Sequence, residues 1–567
     1  MRDHSSISTV ALICGMHAGS CLTVGSTGHV SVTVALGYRR SNTTESAAIL
    51  KTFITFSLKM FALLSVTLSV VFSTIPPPTL YPVDEYHFDA VVDHFSFVPT
   101  TPATFSLRYY VNEASYTRGS TAPVLFYTGN EADIIEFVNN TGWMFELAKE
   151  MKALVVFAEH RYYGLSNPMG NGPGNPSLGK GRNVSYLTVE QAMEDFNTLS
   201  IALRGKFGIP PRAAIIAFGG SYGGNLALWL RLKNPNLWAG AIASSATPLK
   251  HLLVETNGFA KIETEAYGNV SAQCPTLIRD GWSELYNATT LASKAGRAAI
   301  AKELGLCAPL PDAGAAGSIG GWVEGALETM VQYGYPYPTS FYNPVPGYPF
   351  KVACEGMLAA GTGLGALRAA AEVYYNYSGQ AGACFNQDDV AIAAEAHWTR
   401  LGQRHRLQAH SSHTMHTLGG ETQAGWGYQC CTEVYQPMPT NGVSDFLRPS
   451  EVNRTAYFAN CKARWNVAPR PHWEEMTFQS SNIGAGSNIF LTMGQLDPWR
   501  AAGIQTLPKG AHPSIIARVI EHGAHHYDLR ASNPLDPPSV VAVRKEEKAA
   551  MATWIKEWAT NHAEEEL

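Results

Sequence analysis

The feature that most constrains the fold of this chain is the stretch Ala-Phe-Gly-Gly-Ser-Tyr-Gly-Gly at residues 217–224, with Ser221 at its centre. It carries the pattern Gly-x-Ser-x-Gly between an apolar run at residues 213–217 and a segment of helical character at residues 225–233. A serine at the tip of so tight a turn has strained backbone angles, and glycine on either side removes Cβ atoms that would collide. We therefore predict a nucleophile elbow, in which a strand, a sharp turn and a helix present Ser221. The alternative is an ordinary glycine-rich turn that happens to hold a serine.

The order of apolar and helical segments predicts an α/β fold built on a parallel sheet. Apolar runs that suit strands buried on both faces alternate with helical stretches up to residue 244, and such runs return from residue 488 onward. Between them the chain shows Ala-rich helical segments, cysteines and irregular Pro/Gly stretches. The economical interpretation is an α/β core at residues 80–250 and 476–567, interrupted by a mostly helical cap at residues 251–475.

Two polar residues near the C-terminus supply the chemistry that Ser221 requires. A serine hydroxyl needs a base to remove its proton, and the base needs an acid to orient it. Asp497 follows the apolar run at residues 488–493, and His525 follows the run at residues 514–521. Carboxyl ends of parallel strands meet at one edge of a sheet, and the order serine, acid, histidine is that of the α/β-hydrolase fold. His522 is a weaker candidate for the base, because it falls at the end of the predicted strand.

An oxyanion hole is expected beside the elbow. One donor would be the backbone N–H of Tyr222, the residue after the serine. The second would come from the loop Thr-Gly-Asn-Glu at residues 128–131, where Gly129 and Asn130 are the candidates because glycine permits close approach of the backbone. An ordinary turn is the alternative interpretation of that loop.

Composition excludes several classes of partner. The formal net charge of −5 and the isoelectric point near 6.4 argue against a nucleic-acid binder or a polybasic membrane binder. The cysteines do not have zinc-ligand spacing, and the histidine-bearing stretch at residues 397–416 is best interpreted as a solvated loop. We therefore expect no metal and no cofactor.

The N-terminal residues are expected to lie apart from the fold. Residues 1–52 are rich in Ser, Thr, Gly and Val and show no convincing periodicity, and residues 1–59 are interpreted as a non-structural extension. Residues 60–75, from Met60 through an apolar run to small residues, resemble a secretory signal peptide. A membrane anchor at residues 53–75 is the alternative, because that segment reaches the roughly 20 residues that a span needs.

Cysteines and glycosylation sequons agree with export. Seven cysteines follow Met60, which favours disulfides in an oxidising compartment and leaves one thiol over. Six Asn-x-Ser/Thr sequons are candidate glycosylation sites: Asn139, Asn183, Asn269, Asn287, Asn376 and Asn453.

Several further blocks, taken with the elbow, resemble the lysosomal Pro-X carboxypeptidase and dipeptidyl peptidase II family of serine exopeptidases. They span nearly the whole chain after residue 85 and are specific in combination. The blocks are Val-Asp-His-Phe at 92–95, Phe-Tyr-Thr-Gly-Asn-Glu at 126–131, Phe-Ala-Glu-His-Arg-Tyr-Tyr-Gly at 157–164, Gly-Gln-Leu-Asp-Pro-Trp at 494–499 and Gly-Ala-His-His at 523–526.

The resemblance implies roles for the residues already singled out. Ser221 would be the nucleophile, Asp497 the orienting acid and His525 the general base, in an α/β-hydrolase with a helical, disulfide-bearing cap. It also implies a proline pocket near Trp499 and Asn225. Asn225 departs from the family, which has an apolar residue at this place after the elbow glycines, and a further family disulfide has no counterpart here. The implied bridges are Cys274 with Cys354, Cys307 with Cys384, and Cys431 with Cys461, which leaves Cys430 unpaired.

The function expected from this resemblance is a serine exopeptidase that cleaves next to proline through an acyl-enzyme. Residues 373–380 are more similar to the carboxypeptidase branch, so release of a C-terminal residue is favoured over removal of N-terminal X-Pro dipeptides. A lipase or esterase and an inactive, hydrolase-like binding protein are the alternatives. We expect peptide partners with proline near a chain end, with a homodimer left open, in the secretory pathway, the lysosome or vacuole, or the extracellular space.

Overall fold

The computed structural model describes residues 11–14, 20–24, 30–34, 80–169, 184–341, 343–379, 381–400, 420–436 and 438–563. The chain divides into two compact units, residues 1–77 and 78–567. In the first unit, three short antiparallel strands form a sheet in chain order: β1 (Ala11–Cys14), β2 (Ser20–Val24) and β3 (Val30–Val34). The interpretation of residues 1–59 as a non-structural extension did not anticipate these strands. The segment at residues 53–75, predicted as signal peptide or anchor, lies outside the described residues.

The second unit is built on a mixed sheet of eight strands. Their order across the sheet is β13-β12-β9-β8-β6-β7-β5-β4, and β10 pairs with β11 in a separate small hairpin. The strands are β4 (Asp84–Val91), β5 (Thr104–Asn112), β6 (Val124–Thr128), β7 (Leu154–Ala158), β8 (Ile215–Gly220), β9 (Gly240–Ser244), β10 (Thr339–Phe341), β11 (Asn343–Val345), β12 (Ile489–Gly494) and β13 (Ile515–Ile520). From β7 to β13 all neighbours are parallel, whereas β4 and β5 join antiparallel at the other edge.

The inner parallel strands are buried on both faces, as the apolar runs predicted, whereas the edge strand β13 is partly exposed. Alternate residues of β6 enter two different cores: Leu125 and Tyr127 pack in one hydrophobic cluster, Val124 and Phe126 in the other. All five residues of β6 and of β7 are buried. The α/β architecture with a largely parallel sheet is therefore confirmed, whereas the antiparallel pair β4–β5 and the hairpin β10–β11 were not predicted.

Helices surround the sheet and fill the chain between β9 and β12. They are α1 (Ile134–Asn140), α2 (Gly142–Met151), α3 (Val189–Phe207), α4 (Tyr222–Lys233), α5 (His251–Thr256), α6 (Gly258–Val270), α7 (Gln273–Leu285), α8 (Ala288–Ala292), α9 (Lys294–Glu303), α10 (Ala315–Gln332), α11 (Pro349–Ala360), α12 (Gly363–Tyr375), α13 (Gln387–Arg400), α14 (Gly420–Thr432), α15 (Arg454–Trp465), α16 (Trp473–Phe478) and α17 (Pro538–Asn561). Helices α5 to α16 make the insertion mostly helical. Within the described ranges, no helix combines the length and apolar character needed to cross a bilayer.

Three disulfides tie the insertion together, with the pairing that the resemblance implied. One joins α7 to α11, a second joins the segments after α9 and before α13, and the third joins α14 to α15. They are Cys274–Cys354, Cys307–Cys384 and Cys431–Cys461. Cys430 is not part of a disulfide and is fully buried.

The elbow forms as the glycine pattern predicted. Ser221 has a φ of 56°, in the left-handed region that side chains rarely adopt, and α4 begins at the next residue. A Cβ on Gly219 would lie 2.1 Å from the carbonyl oxygen of Gly223. A Cβ on Gly223 would lie 2.2 Å from Asn130 Oδ1 and 2.6 Å from the carbonyl oxygen of Thr128. The turn can close only because both positions lack side chains.

Gly223→Ala is expected to destabilise the protein, whereas Gly205→Ala is not. The new methyl group at 223 meets buried polar atoms, so the free energy of unfolding should fall by about 1–3 kcal/mol. Gly205 is exposed on α3 with nothing within 4 Å of its missing Cβ, so alanine there should raise stability by about 0.4–1 kcal/mol. Urea unfolding of both variants checks this, and equal midpoints would contradict the steric argument.

Removing the disulfide that joins α7 to α11 is expected to lower the free energy of unfolding more than removing the thiol of Cys430. Cys274→Ala with Cys354→Ala frees a loop whose ends lie 80 residues apart, which should lower the free energy of unfolding by about 2–4 kcal/mol. Cys430→Ala, the matched control, removes one buried sulfur and no crosslink. Thermal melting under non-reducing conditions compares the two, and a loss in the double variant no larger than in the control would count against the prediction.

Candidate active site

Three strand ends bring the predicted triad residues to one edge of the sheet. Ser221 follows β8, Asp497 follows β12 and His525 follows β13, and these strands run parallel. His525 Nδ1 lies 2.7 Å from Asp497 Oδ2, and the Asp497 side chain is fully buried. Ser221 and His525 line the same cavity. The described geometry therefore places the serine and the acid–base pair around one space.

Asp497 is fixed by its own loop. Its Oδ1 accepts a hydrogen bond from the backbone N–H of Trp499 at 3.0 Å, which caps a short 3₁₀ helix at Pro498–Ala502. The other carboxylate oxygen is thereby left to face His525 Nδ1. A carboxylate held in this way sets the tautomer and the orientation of an imidazole.

The insertion holds the histidine loop from the opposite side. The backbone N–H of His525 donates to the carbonyl oxygen of Gln332 at 3.0 Å, and Tyr335 Oη donates to the carbonyl oxygen of His525 at 2.5 Å. Gln332 also accepts from Trp499 Nε1 at 3.1 Å through its side chain. Sequence reasoning missed Gln332 and Tyr335, because they belong to no motif and lie in the irregular part of the chain.

The other two histidines of this region have different surroundings. His522 is exposed at the surface beside Glu521 and does not line the cavity. His526 is half-buried, its ring lies tilted against that of His525 at 3.9 Å between centroids, and it lies close to the backbone of Gly220. Burial, with added repulsion from His525 and Arg530, holds the pKa of His526 well below its ordinary value. His526 is therefore a neutral wall of the site.

The loop after β6 is bound to the elbow through its side chains. Thr128 Oγ1 donates to the carbonyl oxygens of Phe218 at 3.0 Å and Gly223 at 2.8 Å, and Asn130 Nδ2 donates to the carbonyl oxygen of Gly220 at 2.6 Å. These contacts hold the backbone of Asn130, which lines the cavity, beside Ser221.

The expectation for Gly129 needs correction. Its backbone N–H donates to the carbonyl oxygen of Ala158 at 2.9 Å, and Gly129 does not line the cavity. The glycine is needed because a Cβ there would lie 2.3 Å from that same oxygen. The backbone N–H groups of Tyr222, at the first position of α4, and of Asn130 are the two candidate donors that remain at the cavity.

Of the two predicted pocket residues, only Trp499 lines the cavity. Trp499 is held by Gln332 and packs edge-on against Phe259. Asn225 is fully buried in α4 and outside the lining; its Oδ1 accepts from the backbone N–H of Thr247 at 2.7 Å. The expectation that Asn225 itself shapes the pocket is thus corrected: it holds Thr247, which does line the cavity.

The insertion supplies the roof of the cavity. Core residues form part of the lining, and residues of α10 and its C-terminal end, the β10 strand, α14 and the chain after α14 form the rest, here called the roof. Those roof residues are Thr329, Gln332, Tyr333, Phe341, Trp426 and Gln436. Aromatic rings from both parts give the cavity a largely apolar lining.

A buried network behind the elbow explains two of the sequence blocks. Burial lowers the pKa of His160 to about 4, so its ring is neutral, and Nδ1 faces the carbonyl oxygen of Arg161 at 2.8 Å. Nδ1 therefore carries the proton and Nε2 accepts from Tyr222 Oη at 3.0 Å. Arg161 forms a two-point ion pair with Asp195, which also contacts His94 at 2.8 Å. The blocks at 92–95 and 157–164 thus support the residue next to Ser221.

The sequon asparagines differ in accessibility. Asn269, Asn287 and Asn453 are exposed, Asn139 and Asn376 are half-buried, and Asn183 lies outside the described residues. Asn376 Nδ2, the atom that would carry a glycan, donates to Glu372 Oε2 at 2.8 Å. Residues 401–419, which hold most of the histidine-bearing stretch, are also outside the described residues.

Comparison with known proteins agrees with the geometry. The family described as Serine carboxypeptidase S28 matches residues 90–547. The chain is 37% identical to a lysosomal Pro-X carboxypeptidase of Bos taurus over 474 residues, covering 82% of this chain and 87% of that one. It is 36% identical to the Homo sapiens lysosomal Pro-X carboxypeptidase over 478 residues (83% and 88%), and 32% identical to prolyl carboxy peptidase like protein 5 of Caenorhabditis elegans over 499 residues (85% and 92%). The resemblance read from the motifs is confirmed: the chain belongs to the serine carboxypeptidase S28 family.

Proposed function

We propose that this protein is a serine carboxypeptidase that releases the residue following a proline from the C-terminus of peptides. The observation that carries the proposal is the 2.7 Å contact between Asp497 and His525 beside Ser221 in one cavity. The names of the relatives, lysosomal Pro-X carboxypeptidases, support the choice of substrate.

The reaction would follow from the positions of these groups. Ser221 Oγ attacks the carbonyl carbon of the substrate proline while His525 Nε2 takes its proton, and Asp497 stabilises the resulting imidazolium through Nδ1–H. The tetrahedral oxyanion accepts hydrogen bonds from the backbone N–H groups of Tyr222 and Asn130. His525 then gives the proton to the departing amine. Water, deprotonated by His525, attacks the acyl-enzyme and restores Ser221.

Exopeptidase action is supported by the roof over the cavity. Residues of the insertion line the same cavity as Ser221, which favours binding of a chain end over binding of a polypeptide along an open groove. A chain end can enter. The aromatic lining, including Trp499 and Trp426, suits the apolar proline ring.

We infer a lysosomal or other secretory-pathway location. Three disulfides indicate an oxidising compartment, and the similar mammalian proteins are named as lysosomal.

The purified protein is expected to release phenylalanine from an N-terminally blocked Pro-Phe peptide and to leave a Lys-Pro amide substrate intact. The first substrate offers a free C-terminus after proline, and the second offers only a free N-terminus before the cleaved bond. Chromatography of the products measures both reactions. Cleavage of the Lys-Pro substrate alone would instead assign dipeptidyl peptidase activity.

Ser221→Ala is expected to abolish both turnover and labelling by a fluorophosphonate while the protein stays folded. Asp497→Asn should lower kcat by about 10⁴-fold, because the histidine loses its orienting acceptor. Ser283→Ala, at an exposed serine of α7, is the matched control and should behave like the parent. Steady-state kinetics and circular dichroism check this; full activity of Ser221→Ala would show that another group attacks the substrate.

A further inference from the structure

A buried lysine forms part of the wall of the catalytic cavity. Lys250 lines the same space as Ser221 and His525, and its side chain is only 2% exposed. Among the described residues that line the cavity, Lys250 is the only lysine or arginine. Burying an ammonium group is costly unless it is matched, so a lysine here calls for a partner.

Two of the three ammonium donors of Lys250 have partners within the protein. Nζ donates to the carbonyl oxygen of Thr247 at 3.0 Å and to Glu474 Oε1 at 3.0 Å. Among the described residues, the third N–H of the ammonium group has no hydrogen-bond partner. A lysine ammonium can donate three hydrogen bonds, so one remains for a group that enters the cavity.

The position of Lys250 is fixed relative to Ser221. The backbone N–H of Thr247 donates to Asn225 Oδ1, and Asn225 lies one turn after Ser221 on α4. Thr247 in turn accepts from Lys250 Nζ and itself lines the cavity. The helix that presents the serine therefore also sets the place of the ammonium group.

We propose that Lys250 binds a carboxylate group of the substrate through a charge-assisted hydrogen bond. That carboxylate is either the free C-terminus or the side chain of an acidic residue next to the cleaved bond. The inference rests on the proposed function, because a carboxypeptidase substrate always brings at least the first of these into the site. Charged hydrogen bonds of this kind are among the stronger ones in proteins.

The protonation state of Glu474 sets the net charge of the Lys250–Glu474 pair that faces a substrate carboxylate. Burial raises the pKa of Glu474 above its ordinary value, Lys250 opposes that rise, and Glu475 adds to it. Other titratable groups lie near the pair. Tyr222 and Cys430 have pKa values raised by burial and are neutral, whereas Glu131 is a carboxyl residue that lines the same cavity, as do His525 and His526. Because its pKa is raised, Glu474 takes up a proton at a higher pH than a C-terminal carboxylate, whose ordinary pKa is about 3.3–3.7. Glu474 then no longer neutralises the ammonium group, and carboxylate binding strengthens as the pH falls through the pKa of Glu474.

Binding to the Ser221→Ala protein tests the role of Lys250 without consuming the peptide. Calorimetry would compare N-blocked Ala-Pro-Phe as free acid, the same peptide as C-terminal amide, and amides with glutamate either after or before the proline. At least one carboxylate-bearing peptide should bind about tenfold or more tightly than the plain amide, and which one does so identifies the source of the carboxylate. Equal binding of all four would overturn the inference.

Lys250→Met in the Ser221→Ala background should abolish that preference. Lys548→Met, at an exposed lysine of α17 paired with Glu150, is the matched control and should retain it. A merely structural role would weaken acid and amide peptides alike, so survival of the preference in the folded Lys250→Met protein would overturn the inference.

Glu474→Gln keeps the lysine and serves if Lys250→Met does not fold. It should tighten carboxylate binding near pH 7 and make the preference independent of pH, and an unchanged pH dependence would contradict the inference.

The proposed function and the role of Lys250 can be refuted separately. A wild-type protein that cleaves no proline peptide would refute the proposed function, while the binding preference still decides what Lys250 does.

Discussion

The active site depends on a backbone conformation that a residue with a side chain seldom adopts. Ser221 has positive φ, and strain of this kind costs of the order of 1–3 kcal/mol unless its surroundings enforce it. Here the loop after β6 enforces it, because Thr128 and Asn130 each bind carbonyl oxygens of the elbow. The same loop places the backbone of Asn130 at the cavity. One set of hydrogen bonds thus fixes both the proposed nucleophile and a candidate oxyanion donor.

The sheet and the insertion are joined through the residue proposed as the base. Asp497, from the core, contacts the ring of His525. Gln332 and Tyr335, from the insertion, form hydrogen bonds with the backbone of His525. Trp499 is bound to Gln332 as well. Movement of the roof away from the sheet would therefore move the histidine.

How far the sequence predicted this structure depended on the kind of signal. The glycines around Ser221 and the apolar runs before Asp497 and His525 are local signals that need almost no information from the rest of the chain. The order and position of the elbow and of these two strands could therefore be predicted from them. Gly129 was assigned the wrong role. A glycine that is needed for close packing of two backbone segments and a glycine whose N–H binds a ligand look the same in the sequence. Asn225 was placed in the pocket by analogy, whereas its contact is with Thr247. The pairing of Lys250 with Glu474 joins residues 224 positions apart and has no local signal at all.

Cys430, which is not part of a disulfide, lies directly beside Cys431, which is bonded to Cys461. Exchange between a thiol and a disulfide requires the thiolate, and burial raises the pKa of Cys430 far above its ordinary value. In the folded chain the neighbouring sulfur is chemically silent, and the bridge cannot migrate by one residue. Before folding no such barrier exists, because both sulfurs are then equally accessible to Cys461. Packing around α14, and not any difference in intrinsic reactivity, selects which of two adjacent cysteines becomes the crosslink.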